Sequence, residues 1–231
     1  MTSSTKGPTS SPKLATNVLS RRRKAEARPA DILSAALDAF VENGFTAARL
    51  EDIAERAGVS KGTLYLYFES KEALFKAVIR ETIVPVVERA EQRVEAFSGS
   101  SRDLLVETLR GWWSELSKSR MTGLPKLVLA EATNFPEAAR IYFDEVVLRV
   151  RALFARILRR GIERGEFRPL DVEYTVRVLM APVVMAQIWK HSLVKCQIDA
   201  VDYDRQLDVL IDLILNGITP VEQRQNQRGT S

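Results

Sequence analysis

Apolar residues recur every three or four positions along most of this chain, the spacing that places them on one face of an α-helix. The first long stretch begins at Pro29, a residue suited to the first turn of a helix, and ends at Asn43-Gly44. Shorter stretches follow at Leu50–Ala57 and Lys61–Phe68. The beginning of the chain is therefore expected to form a three-helix unit, with Phe45 in its core.

The turn between the second and third helices has the residues of a helix-turn-helix. Gly58 stands where the end of a helix favours a residue that tolerates positive φ, and Ser60 stands where the next helix favours an N-cap. Two helices joined by a short turn containing Gly are typical of this motif, whose second helix can enter the major groove of DNA. The sequence therefore predicts a DNA-binding unit.

The third helix separates into two faces when it is advanced by about 100° per residue. Leu64 and Phe68 fall together and are expected to point into the core. The opposite face carries a glycine, two hydroxyl groups and an apolar side chain, from Gly62, Thr63, Tyr67 and Leu66. Glycine permits close approach to DNA, hydroxyls reach phosphates and an apolar group can contact a thymine methyl. Tyr65 lies at the flank. Packing of Tyr65 and Tyr67 on a neighbouring helix is the alternative interpretation, and for Tyr65 it is favoured and compatible with a phosphate contact.

A dense set of motifs stands between residues 29 and 80: Phe45, Asp52-Ile53-Ala54, Ala57-Gly58-Val59-Ser60, Lys61-Gly62-Thr63-Leu64-Tyr65, Tyr67-Phe68 and Ser70-Lys71-Glu72-Ala73-Leu74. These motifs closely resemble the N-terminal domain of the TetR/AcrR family of transcriptional regulators. The resemblance implies an all-α homodimer. It also implies an N-terminal three-helix helix-turn-helix DNA-binding domain and a larger helical C-terminal domain for effector binding and dimerisation.

The resemblance also implies which residues bind DNA. The residues that match the family's DNA-facing helix are Lys61, Gly62, Thr63, Tyr65, Leu66 and Tyr67, and the lysine matching Lys71 reaches a phosphate. Arg49 departs from the family pattern, which usually has a capping Thr at this position. Because Arg49 cannot accept a capping hydrogen bond, the second helix should lose about 1 kcal/mol at its start. Its charge still suits a phosphate contact.

The C-terminal half is predicted to consist of further helices. Ser70 should cap a long fourth helix that Pro85 kinks or divides. The last helix, predicted over 203–216, carries apolar residues around most of its circumference. We expect it to pack on its own domain and, together with the helix over 171–194, on a second subunit in a four-helix interface.

Large side chains in this half define a candidate effector pocket: Trp112, Trp113, Tyr142, Met180, Met185 and Trp189. Aromatic and Met side chains at helical spacing more often belong to a core than to a pocket. Adjacent Trp112 and Trp113 point about 100° apart on a helix, so at most one is expected to face a cavity. A pocket of this composition favours a small hydrophobic or amphipathic effector.

Charge is distributed unevenly along the chain. Residues 1–28 contain seven Lys or Arg and one Glu, a net charge of +6 in a protein whose total is +4, so the remaining residues carry −2. This segment is rich in Ser, Thr, Lys and Pro and is predicted to be a disordered basic arm. Its Arg21–Lys24 run is interpreted equally well as a solvated tail or as a DNA contact. Residues 218–231 are predicted to be a disordered tail.

Several kinds of chemistry find no support in the sequence. The single cysteine, Cys196, rules out an intrachain disulfide and fits a reducing cytoplasm. His191, the single histidine, cannot form a metal site alone, and we expect no cofactor. No nucleophile elbow, phosphate-binding glycine loop or acid–base pair indicates an enzyme. No apolar run approaches the roughly 20 residues of a membrane span.

Together these features predict a DNA-binding domain over 29–75 and a ligand-binding and dimerisation domain over 76–217. The predicted function is a cytoplasmic repressor that binds a near-palindromic DNA operator as a homodimer and is released by a small molecule. The alternative is a regulator or activator that needs no ligand and whose C-terminal domain only dimerises. An enzyme acting on a hydrophobic substrate is a third, disfavoured hypothesis.

Overall fold

The computed structural model describes residues 13–117, 120–192 and 201–220 of the 231-residue chain. Over these residues the α-helices are, in order, α1 (Lys13–Ala47), α2 (Leu50–Arg56), α3 (Lys61–Tyr67), α4 (Lys71–Val78), α5 (Val84–Ala96), α6 (Ser101–Ser117), α7 (Leu124–Glu131), α8 (Pro136–Tyr142), α9 (Leu148–Glu163), α10 (Val172–Ser192) and α11 (Tyr203–Ile218). No strand occurs within these ranges. The all-α prediction is confirmed.

Local chemistry sets the ends of the short helices in the N-terminal unit. Gly58, at φ +67°, turns the chain after α2. The Ser60 hydroxyl caps α3 by accepting a hydrogen bond from the Thr63 N–H at 3.1 Å. The Ser70 hydroxyl caps α4 in the same way, accepting from the Ala73 N–H at 3.1 Å. The predicted turn and both predicted caps are therefore confirmed.

The first helix differs from its predicted start. α1 begins at Lys13 rather than at Pro29, and Pro29 lies inside it. The residues between them include many Ala, Leu, Arg and Lys, which have high helix propensity, so the helical pattern extends upstream. Residues 1–12 and the side chains of the Arg21–Lys24 run lie outside what the structure describes, as does the tail from residue 221. The predicted disorder of the arm and of the tail stays a prediction.

Pro85 marks a division in the fourth helical segment, as predicted. α4 passes into a π-helical turn at Ile79–Ile83, and α5 follows with Pro85 at its beginning. A proline is tolerated in the first turn of a helix because its missing N–H has no partner to bond there. The change of helical geometry therefore falls just ahead of the proline.

One hydrophobic core runs through both parts of the molecule. In the N-terminal unit, the rings of Phe40, Phe45 and Phe75 lie 5.4–5.5 Å apart, centroid to centroid. The Phe45 ring also lies 4.5 Å from the ring of Phe135, which stands between α7 and α8 in the C-terminal part. The predicted burial of Phe45 is confirmed, and its ring joins the two parts.

In the C-terminal part, α9 and α10 form a helical hairpin. The turn between them is tight because Gly161 lies against the Phe167 ring, where a Cβ would come within 2.0 Å of a ring carbon. An ion pair at 2.7 Å between Arg159 and Glu173 links the two helices. The last helix, α11, begins at an Asp202 cap and packs against α6 and α10.

Candidate DNA-binding surface and internal cavity

The outer face of α3 is exposed although it is partly apolar. Leu66 is 85% exposed, and Tyr65 and Tyr67 are 44% exposed each, whereas Leu64 on the opposite side is fully buried. Gly62 is also exposed, and the space where its Cβ would lie is nearly empty. The two predicted faces of the helix are therefore present. Phe68, the C-cap of α3, is half-buried and packs against the core as predicted.

Lys61 carries the positive charge at the start of this helix, and its ammonium forms an ion pair with Glu51 on α2. A hydrogen bond between the two side chains raises the pKa of Lys61 and lowers the pKa of Glu51. The Lys61 Nζ also lies 5.8 Å from the centroid of the Tyr65 ring. In the free protein, Lys61 is thus directed at its own domain.

Thr63 has its hydroxyl engaged within the turn. Its Oγ1 lies 2.8 Å from the Ser60 Oγ, so the two hydroxyls share a hydrogen bond in addition to the cap. Arg49, at the N-cap of α2, is exposed and makes no capping hydrogen bond with its side chain, as predicted. Arg49 before α2 and Leu66 on α3 are therefore both exposed on the predicted DNA-binding surface.

Lys71 occupies a different environment from the one that its predicted phosphate contact suggests. Its Nζ donates hydrogen bonds to the carbonyl oxygens of Thr46 at 3.0 Å and Ala48 at 3.2 Å. It also lies 4.9 Å from the centroid of the Phe45 ring. Two of its three N–H donors therefore hold the connection between α1 and α2, and one remains.

A contact that the sequence did not predict joins this connection to the C-terminal part. Glu131, the last residue of α7, accepts hydrogen bonds from the Thr46 N–H at 3.2 Å and from the Thr46 hydroxyl at 2.9 Å. Burial acts to raise the pKa of Glu131, but the hydrogen bonds with Thr46, Asn134 and the Phe45 backbone together outweigh burial, so its pKa lies below its usual value of 4.5. The two residues are 85 positions apart, and no local pattern marks the pair.

The C-terminal part encloses a largely apolar cavity of about 420 Å³. Its walls come from α6 to α10 and from the turns beside them, and a volume of this size suits a small organic ligand. Four of the predicted pocket residues line it, namely Trp112, Tyr142, Met180 and Met185. Burial in these apolar surroundings raises the pKa of the Tyr142 hydroxyl well above its usual value.

The structure does not bring Trp113 and Trp189 to this cavity. The Trp113 ring faces α11, where its Nε1–H donates to Asp204 at 2.7 Å, because it points away from Trp112 on the same helix. Trp189 is 42% exposed, since its position on α10 faces outward. These two predicted pocket residues are corrected accordingly.

Several cavity residues were missed. Leu124, Pro125 and Leu129 all line the cavity from α7, a helix whose short apolar sequence resembles ordinary core. Arg151 and Arg177 line it as well, although arginines on amphipathic helices are usually interpreted as solvent-facing. Val146 and Val150 also line the cavity. Their spacing of four residues was the one sequence pattern that could have predicted this side of the cavity.

The described residues also bear on metal binding and membrane insertion. These residues contain no group of three or more His, Cys, Asp or Glu side chains placed to hold a metal ion. No described helix is both long and apolar enough to cross a membrane. The His191 side chain and Cys196 lie outside what the structure describes.

The fold and these two sites define a class of protein: a transcriptional regulator with a helix-turn-helix unit and a hollow helical domain. Residues 32–78 match the family described as bacterial regulatory proteins of the tetR family, and residues 96–209 match the Tetracyclin repressor-like C-terminal domain. The chain belongs to the TetR family of transcriptional regulators.

Two relatives with known names are also transcriptional regulators. The chain is 33% identical over 154 residues to the uncharacterized HTH-type transcriptional regulator YfiR of Bacillus subtilis, covering 64% of this chain and 72% of that one. It is 28% identical over 176 residues to the HTH-type transcriptional regulator RutR of Escherichia coli, covering 70% and 74%. These relatives are regulators rather than enzymes.

Two solved structures with small molecules share the fold. A transcriptional regulator from Saccharomonospora viridis in complex with choline has a TM-score of 0.71 at 22% identity, covering 85% of this chain and 99% of that one. FadR from Bacillus subtilis in complex with stearoyl-CoA has a TM-score of 0.68 at 22% identity, covering 81% of this chain and 98% of that one.

Proposed function

We propose that this protein is a cytoplasmic repressor that binds a near-palindromic operator as a homodimer and is released by a small molecule. The observation that carries the DNA-binding part is the outer face of α3, with Leu66 almost fully exposed between two half-exposed tyrosines. An exposed apolar patch of this kind indicates an interaction site. Its place on the second helix of a helix-turn-helix makes the major groove of DNA the partner.

The residues on this face divide by chemistry. Gly62 and Leu66 approach base edges, where Leu66 packs against a thymine methyl. Arg49, Tyr65 and Tyr67 contact phosphates and fix the position of the helix. Lys61 and Thr63 join them once DNA displaces the Glu51 and Ser60 partners that they have in the free protein.

Lys71 has a smaller direct role in this proposal. Its two carbonyl contacts hold the turn that precedes α2, and its remaining N–H can reach a phosphate. Substitution of Lys71 therefore disturbs the position of α2 and α3 more than it removes a single charge from the interface.

The test begins with the DNA fragments that the purified protein retains from genomic DNA. On the fragment that it binds most tightly, Arg49→Gln should reduce the slope of log affinity against log salt by roughly 1. Leu66→Ala should leave the slope unchanged and relax the preference for one base pair. Arg56→Gln serves as the matched control, because Arg56 pairs with Glu42 at 2.7 Å on α1. Equal effects of Arg49→Gln and Arg56→Gln would contradict the placement of α3 and Arg49 on DNA.

We infer the homodimer from apolar residues that α10 and α11 leave uncovered. Val178 on α10 is 72% exposed and Leu213 on α11 is 65% exposed, and Tyr174 and Val209 lie one turn away on each helix. A second copy that covers this face would form the predicted four-helix interface. Leu213→Glu should yield monomers in sedimentation equilibrium and lose operator affinity, whereas Leu148→Glu, at an exposed site on α9, should leave a dimer.

Release requires a route from the cavity to α3, and α7 provides one. Its Leu124, Pro125 and Leu129 line the cavity, while Glu131 at its end holds Thr46. Just before α7, Gly123 lies against Val41 of α1, so closely that a Cβ would come within 2.3 Å of that side chain. A ligand that shifts α7 therefore shifts the turn that positions α2 and α3.

The coupling must amount to about 1–3 kcal/mol for a ligand to change operator affinity by 5- to 150-fold. The similarity of this fold to structures in complex with choline and with stearoyl-CoA supports the presence of an effector. A regulator without a ligand, or an activator, is the alternative. A cavity ligand that binds and leaves operator affinity unchanged would favour that alternative.

A further inference from the structure

The charged residues that line the cavity all have the same sign. Arg151 on α9 and Arg177 on α10 are among the lining residues, and no Asp or Glu is among those described. Most of the remaining lining is aliphatic or aromatic, so a ligand would meet an apolar interior and two guanidinium groups.

Both arginines line the same cavity from adjacent helices. Arg151 lies on α9 and Arg177 on α10, which pack against each other and are linked by the Arg159–Glu173 ion pair. Because both side chains border one cavity of about 420 Å³, a single small ligand can contact both.

Neither arginine is neutralised by the protein. Among the described residues, neither has an acidic side chain within ion-pair distance, although nearby Arg149 and Arg159 both form ion pairs at 2.6–2.7 Å. Instead, the Arg151 guanidinium lies 5.6 Å from the Phe143 ring centroid, and that of Arg177 lies 6.0 Å from the Tyr174 ring centroid. Both keep their hydrogen-bond donors available to an anion.

The cavity opens where these charges lie. In a single protomer, Arg177, Ala181 and Met185 line the cavity and are exposed, beside Tyr174 and Val178 of the proposed dimer face. Deeper along the same helix, Gln187 lines the cavity and is only 4% exposed. The polar end of a ligand would therefore remain near the opening while its apolar part enters the cavity.

We propose that the effector is an amphipathic anion, with an apolar body inside the cavity and a carboxylate or phosphate head held by Arg151 and Arg177. This assignment rests on the proposed effector-controlled function and specifies the chemistry of that same site. It makes the two arginines the residues that distinguish an anionic ligand from a neutral or cationic ligand of equal length.

The experiment compares four probes of one chain length on the full-length protein by calorimetry, each below its micellar concentration. The probes are dodecanoate, dodecyl phosphate, dodecan-1-ol and dodecyltrimethylammonium. We expect at least tenfold tighter binding of an anionic probe than of the alcohol, and weakest binding of the cation. A preference between the two anions identifies the head group as carboxylate or phosphate.

Variants test the assignment to the two arginines. Arg151→Gln and Arg177→Gln should each reduce the preference for the anion over the alcohol several-fold, and their combination should abolish it. Arg102→Gln, at an exposed arginine of α6 away from the cavity lining, should leave it unchanged. If a variant does not fold, the comparison of the four probes on the wild-type protein still tests the proposal.

Equal binding of the alcohol and the anions, tighter binding of the cation, or binding of no probe would overturn the proposal. Operator affinity measured beside each titration separates this outcome from the failure of the proposed function. If the alcohol binds as tightly as the anions and releases DNA, the proposal of an anionic head group fails, but the proposed effector release stands. An anionic probe that binds selectively but leaves DNA bound supports the anionic head and contradicts effector release.

Discussion

The N-terminal unit and the C-terminal part are packed in opposite ways. Around Phe40, Phe45 and Phe75 the rings touch, and the void beside them holds only about 10 Å³. Between α7, α9 and α10 the chain leaves about 420 Å³ unfilled. A helix that must present Leu66 to DNA in one orientation requires a rigid support, whereas a ligand site requires space that something else can fill.

The two parts share one hydrophobic core, and specific polar and aromatic contacts also cross between them. Glu131 holds Thr46, and the Phe135 ring packs on Phe45. Lys71 then ties the Thr46 carbonyl to α4. A small displacement in the hollow part can therefore reach the rigid unit without unfolding it, because packed interfaces move as units rather than deform continuously.

The largest expected effect tests the contrast in packing itself. Phe45→Ala should lower the free energy of unfolding by about 3–5 kcal/mol, because it leaves a cavity among three rings that cannot close around it. Met180→Ala should lower it by less than about 1.5 kcal/mol, since Met180 already borders empty space. Urea denaturation of both variants measures the difference, and equal losses would remove the contrast.

The next effect concerns the connection between the parts. Glu131→Ala removes two hydrogen bonds to Thr46 and should cost about 1 kcal/mol of stability, a value reduced by solvent at this partly exposed site. A cavity ligand should still bind this variant but change operator affinity less than it does in the wild type. Glu137→Ala, at an exposed site on α8, is the matched control. Full coupling in the Glu131 variant would exclude this contact as the route.

A smaller effect is expected at the DNA surface. Glu51→Gln frees Lys61 from its ion pair and removes a negative charge beside the phosphates. Operator affinity should rise several-fold at low salt, and the difference should shrink as salt screens the charges. Glu55→Gln changes the same charge on the same helix without releasing Lys61. An affinity gain of equal size in both variants would show that only net charge matters.

The smallest effect is a dependence on acid. Because the pKa of Glu131 is lowered in the folded protein, its contribution to stability is present above its ordinary value of 4.5 and is lost as the pH falls through the lower folded-state value. The wild type should therefore lose more stability than Glu131→Gln as the pH falls below 4.5. Parallel pH profiles of denaturation midpoints would contradict the lowered pKa.

Features that depend on residues close together in the sequence could be predicted, and features that depend on distant residues could not. Gly58, Ser60 and Ser70 act on backbone within three or four residues, so the turn and caps could be predicted. The two faces of α3 likewise follow from helical periodicity. The failure of Arg49 to cap α2 is equally local and was also anticipated.

Other features depend on contacts between distant residues and could not be predicted. The carbonyls that hold Lys71 lie 23 and 25 positions away, and the Glu131–Thr46 pair spans 85. At most one of Trp112 and Trp113 was expected to face the cavity. The sequence does not reveal which of the two indoles α11 would cover. Arg151 and Arg177 line the same cavity only because α9 and α10 pack together.

Hydrogen exchange of the free protein and of its complex with a retained DNA fragment tests the central claim most directly. Operator binding through α3 should protect the backbone amides of Lys61–Tyr67 and of the residues next to Arg49, because DNA covers that face. Addition of a cavity ligand should reverse this protection and add protection along α7. Unchanged exchange across α3, with protection elsewhere on the surface, would contradict the account.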